Sequence, residues 1–151
     1  MGCRGLHPEA SPVDISPTHR YEVRGGSEIV GRVRAWATET AAGLGADERA
    51  TADIALAVSE AVTNVVRYAY ADRQECHLIL TAKRIGERIV FRLRDYGDKF
   101  DPARVRPPKM DGELTVGGYG IFLMQHVMDD VRYVTSHPAG TELFMARRRR
   151  R

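Results

Sequence analysis

The stretch "ECHLILTAKRIGERIVFRLRDYG", residues 75–97, decides the fold. It holds two runs that alternate apolar and polar residues, joined by Ile85-Gly86-Glu87, which has hairpin chemistry. The pattern predicts two antiparallel strands. In the second, Ile89, Phe91 and Leu93 share one face, and Val90, Arg92 and Arg94 share the other. Asp95 keeps the apolar parity. A carboxylate on the core side of a strand end is costly without donors. Either Asp95 opens the turn "DYGD", or something there bonds to it.

Working outward toward the N-terminus, Asp47 is placed as an N-cap, and Ile54, Val58, Ala61, Val62, Val65 and Ala69 form one apolar stripe. This predicts a helix from about 47 to 70, the strongest in the chain. Ser27 stands where it caps an earlier helix carrying Ile29, Val33, Trp36 and Ala37 and ending near Gly43. "RYEVRG", residues 20–25, reads as a strand closed by glycine, and residues 1–19 as a flexible lead-in. Toward the C-terminus, residues 101–116 contain Pro102, Pro107, Pro108 and Gly112 and read as a long loop, a length that marks function or disorder. "VGGYGIFLMQHV", residues 116–127, gathers three glycines before a helix that runs to about Met128. "VRYVTS" and "TELFMARR" then form a second hairpin around His137-Pro138-Ala139-Gly140.

The order is strand, helix, helix, hairpin, loop, helix, hairpin. It implies an α/β two-layer sandwich, with a mostly antiparallel mixed sheet and helices on one face. A doubly wound fold is excluded because strands and helices do not alternate throughout. The expected division is a lead-in at 1–19, one domain at 20–146 and a basic tail at 147–151.

At 151 residues, with 43% hydrophobic and 28% charged, the chain has the balance of one soluble domain. It contains no apolar run of eighteen residues and no signal-peptide core, so the expectation is a cytoplasmic protein without a membrane partner. Cys3 and Cys76 make neither a disulfide framework nor a metal spacing. The five terminal arginines exceed the net charge of +3, so the rest of the chain is slightly acidic. Such a block reads as a solvated, disordered end, and no specific nucleic-acid binding is expected.

Glu60 and Asn64, four apart on the long helix, lie one above the other on a face shared with Asp53, Ala57 and Arg67. Periodicity alone makes this a solvated face, and a functional reading needs a ligand to cover it. The glycine cluster lacks the Gly-Lys-Ser/Thr of a P-loop, and Leu123 stands where a dinucleotide fingerprint needs its third glycine. Glycines before a helix still expose N–H groups at the positive end of the dipole, where a phosphate chain binds well.

Taken together, these segments resemble the GHKL ATPase superfamily, and most closely its bacterial anti-sigma-factor serine kinases. "LAVSEAVTNVVRYAY" (56–70) is similar to the family's N-box, "RDYGDKFDP" (94–102) to its first glycine box, and "GGYGIFLMQHVMDDV" (117–131) to its second, followed by "GTELFM" (140–145). The likeness runs from about Tyr21 to Arg147 with the boxes in order. It departs at Lys99, which replaces a second glycine, and at Tyr68, where many relatives carry His.

The resemblance implies a Bergerat-type ATP-binding fold and a role for each box residue. Glu60 would be the general base toward a serine hydroxyl, and Asn64 would hold Mg²⁺ against ATP. Asp95 would accept from the adenine amino group, with Gly97 and Thr141 assisting. Gly118, Tyr119 and Gly120 would cradle the phosphates behind an ATP lid at 103–117. The implied protein phosphorylates an anti-anti-sigma (STAS-type) antagonist, sequesters a sigma factor, and pairs as a homodimer through its N-terminal strand. The alternative is an ATP-binding module that sequesters partners without kinase activity.

Overall fold

A computed structural model describes residues 18–71, 75–99 and 118–150. Five strands, β1 (His19–Gly25), β2 (Cys76–Ile85), β3 (Arg88–Asp95), β4 (Asp130–Val134) and β5 (Glu142–Arg148), form one sheet in the order β1-β2-β3-β5-β4. Every neighbouring pair is antiparallel. The central hairpin is as expected but tighter: Ile85 already pairs with Arg88, so Gly86 and Glu87 alone make the turn, with Gly86 at φ +59°.

Helices α1 (Ile29–Gly43), α2 (Glu48–Asn64) and α3 (Gly118–Val127) complete the described elements. Along β2, Cys76, Leu78, Leu80 and Ala82 are buried, while the intervening His77, Ile79, Thr81 and Lys83 stay partly exposed. The buried parity joins Ile89, Phe91, Leu93 and Met145 of the sheet to Ile29, Val33, Ile54, Val58 and Met124 of the helices in one core. Trp36 anchors α1, its ring stacked on Tyr21 at 5.5 Å and edge-on to Phe91 at 5.8 Å. The two-layer expectation is met.

Asp47 caps α2 as expected, its Oδ1 accepting the Ala50 N–H at 2.8 Å. Three local expectations fail. Glu28, not Ser27, precedes α1, and its Oε1 accepts the Gly26 N–H at 2.9 Å in the sharp exit from β1. The long helix does not run to 70 as one α-helix: after Asn64 it becomes a π turn, Val65–Ala69, closed by Tyr70 N–H to Val65 O at 3.2 Å.

The third concerns the arginines expected in a solvated tail. Arg147 and Arg148 belong to β5, so the expected boundary at 146/147 falls inside a strand. Arg147 is 1% exposed, and its Nη2 and Nε reach Asp53 Oδ2 at 2.8 and 3.2 Å. Arg149 pairs with Glu87 at 2.9 Å. A run of like charges reads as a tail only until its alternate members find carboxylates, as these do on α2 and on the β2–β3 turn. Among the described residues no helix is long and apolar enough to cross a membrane.

Candidate functional site

Three segments distant in sequence meet at one end of the sheet: the last turn of α2 with the π turn, the end of β3, and the approach to β5. Between them lies a narrow cleft lined by Ala61, Asn64, Leu93, Asp95, Tyr133 and Thr141 among others. Asp95 is its charged group and is only 2% exposed. Its N–H donates to Thr141 O at 3.0 Å, closing the β3–β5 ladder, and its Oδ1 accepts the Gly97 N–H at 3.1 Å. Burial raises the Asp95 pKa above the ordinary carboxylate value, against the pull of the Gly97 and Thr141 backbones and Arg94. Both sequence alternatives therefore hold at once: Asp95 ends the strand and its carboxylate is bonded. The site keeps a buried carboxylate acceptor in a lining whose other members are uncharged.

Two glycines make this packing possible. A Cβ on Gly97 would collide with the Ala69 carbonyl, whose oxygen accepts the Asp98 N–H at 2.8 Å. Gly140, at φ +71°, turns so closely under Asp95 that a Cβ would lie 2.7 Å from the Asp95 carbonyl carbon.

Glu60 and Asn64 do not lie on a solvated face. Ala57 is fully buried, Glu60 and Asn64 are half-buried, and Asp53 is bonded to Arg147; of that face Arg67 alone is exposed. The cover is α3, which packs across α2. Gly120 sits against both residues, and a Cβ there would lie 2.7 Å from Glu60 Oε2 and 3.6 Å from Asn64 Oδ1. Gly118 and Gly120 thus belong to the first turn of α3 rather than preceding it, and Tyr119 between them is 48% exposed. Gly117 and the lid residues 103–117 lie outside the described residues. Lys99 is exposed.

The residues present fit a Mg²⁺-bound nucleoside triphosphate. The buried Asn64 Nδ2 and Tyr68 hydroxyl have no hydrogen-bond partner among the described residues, a condition native structures relieve with a ligand or water. The first N–H groups of α3 have no partner within their own helix, as at any helix start, and Gly120 sets them close to Asn64. Among the described residues no cluster of three metal-ligating side chains exists. Magnesium needs only one or two protein oxygens when phosphates and water supply the rest.

Sequence reasoning missed Tyr133, Gly140 and Tyr70. The period of two in "DVRYV" sets Tyr133 beside Val131 on the core face, and burial pushes its phenol pKa up. Gly140 reads only as hairpin chemistry, because nothing local reveals the Asp95 backbone beneath it. Tyr70 follows the π turn, which helical periodicity does not anticipate.

Residues 27–147 match the model of the histidine kinase-like ATPase domain. The serine-protein kinase RsbW of Oceanobacillus iheyensis is 30% identical over 112 residues, covering 70% of this chain and 71% of that one. The serine-protein kinase RsbW of Bacillus subtilis is 31% identical over 121 residues, covering 76% and 75%. Among solved structures, the Acinetobacter baumannii histidine kinase AdeS aligns with 85% of this chain and 68% of its own at 10% identity, with a TM-score of 0.48. With most of its length inside the domain match, the chain belongs to the histidine kinase-like ATPase family, among the relatives of the serine-protein kinase RsbW.

Proposed function

We propose that this protein is an ATP-dependent serine kinase that phosphorylates an anti-anti-sigma antagonist and holds a sigma factor. The carrying observation is the meeting of a buried acceptor, Asp95, with the Glu60–Asn64 pair under the glycine turn of α3. In this reading Asp95 accepts from the adenine amino group, Thr141 flanks the base, and Gly97 keeps the acceptor loop close to the π turn. Asn64, through its Oδ1, would hold Mg²⁺, which supplies charge neutralisation across the phosphates.

Glu60 takes the serine hydroxyl proton on its carboxylate as the oxygen attacks the γ-phosphorus of ATP, the bond from that phosphorus to the β–γ bridging oxygen breaks and ADP leaves, and the backbone N–H groups of Gly118, Tyr119 and Gly120 bind phosphate oxygens. Gly120 matters for what it lacks, since any side chain there would displace Glu60. Because β1 pairs only with β2 among the described residues, its outer edge is available for the homodimer contact.

The test is transfer of labelled phosphate from ATP with Mg²⁺ to serine-bearing antagonists from the same genome. Glu60→Ala is expected to lower transfer by about 10²-fold or more while ATP still binds. If the wild type binds ATP yet labels none of them, the protein is a sequestering module and the kinase reading is wrong.

A further inference from the structure

Three consecutive N–H groups follow Asp95, and each has a different acceptor. Tyr96 N–H donates to the Tyr70 hydroxyl at 3.0 Å, Gly97 N–H to Asp95 Oδ1 at 3.1 Å, and Asp98 N–H to Ala69 O at 2.8 Å. The outer two bonds end on the last residue of the π turn and the one after it. The middle one points at the carboxylate. Tyr70, 4% exposed, also donates from its hydroxyl to His77 O at 2.9 Å, one residue from Leu78, which pairs with Asp95 across the sheet.

One hydroxyl therefore ties together the chain before Asp95's cross-strand partner, the chain after Asp95, and the end of the π turn that follows Asn64. We infer that Tyr70 is a positioning residue that holds the Tyr96–Asp98 loop so that the Asp95 carboxylate faces the base, and that it thereby sets discrimination for the adenine amino group. The inference rests on the adenine-site reading above.

The π turn makes the arrangement possible. Its i→i+5 bond, Tyr70 N–H to Val65 O, widens the helix end, leaving the Ala69 carbonyl and the Tyr70 ring turned toward the β3 exit. Gly97 completes the fit, because no other residue allows the loop to lie against Ala69. The hydroxyl is held as donor and acceptor together, and burial raises its pKa further above neutrality.

Tyr70→Phe keeps the buried ring and removes only the hydroxyl. Binding of ATP and of purine riboside triphosphate, which lacks the amino group, is measured by calorimetric titration for the wild type, Tyr70→Phe and Asp95→Asn. For Tyr70→Phe, ATP affinity is expected to fall about two- to tenfold, the span of one hydrogen bond, with little change for the analogue. Equal losses for both nucleotides, or none for either, would overturn the positioning role. If Asp95→Asn leaves the preference for ATP intact, the adenine-site reading itself fails, an outcome distinct from the failure of Tyr70 alone.

Discussion

Asp95 is held where its charge is disfavoured, and this divides what it does for binding from what it does for folding. Burial favours its protonated form, so its contribution to stability is fully present below the unfolded-state pKa and is lost as pH rises through the raised folded value. At neutral pH the ionised group is therefore a cost to the fold. Asp95→Asn is expected to abolish ATP binding while leaving the thermal midpoint equal or higher, read by titration and by a melt without nucleotide. The same sign gives a pH dependence. ATP affinity, titrated across a pH series, is expected to fall on acidification at a higher pH than an exposed carboxylate would cause. Asp95 is legible from sequence because a strand's period of two is strict, so a carboxylate on the apolar parity stands out. Tyr70 is not, because its partners are backbone groups supplied by β2 and by the loop after β3.

At the scale of elements, the polar face of α2 becomes a site only because α3 lies over it. Periodicity within α2 cannot reveal that cover, which is why Glu60 and Asn64 read as solvated until the boxes are taken together. The contact depends on Gly120. Gly120→Ala is expected to leave the fold as stable as the wild type or more so by up to about 1 kcal/mol, since alanine is the better helix former and the Glu60 terminus is free to swing. Phosphoryl transfer is expected to fall at least tenfold, with ATP binding much less affected, when kcat and nucleotide affinity are compared. The element order and the two hairpin pairings are legible, since each hairpin carries its own turn residues, whereas the β1–β2 and β3–β5 pairings join segments distant in sequence and have no local signal. The π turn is not legible either, because a single i→i+5 step leaves the hydrophobic stripe nearly intact, with Ala69 still buried at its end.

Across the whole molecule, Arg147 joins the two layers by reaching from β5 to Asp53 on α2, with Asp129 Oδ2 at 3.9 Å. Removing one partner of a buried pair strands the other charge. Asp53→Ala is expected to destabilise by about 2 kcal/mol, below the ~3–5 kcal/mol of a fully enclosed pair because Asp53 keeps 22% of its surface in water. Asp53→Leu with Arg147→Met is expected to recover most of that loss in urea unfolding. No local rule identifies which arginine of a terminal run is buried; the choice follows from the β5 register, which turns Leu143, Met145 and Arg147 to one side.

The cleft also bears on the order in which the protein can mature. Its walls come from residues 61 to 143, so no shorter N-terminal piece, such as one still emerging from a ribosome, contains a complete pocket. A ligand of this cleft therefore meets its full set of contacts only after Leu143 has been added. Once bound, a ligand that favours the folded form shifts the unfolding equilibrium of the entire domain in proportion to the logarithm of its concentration. A rise of the melting midpoint with ATP thus reports that α2, β3 and β5 have all assembled.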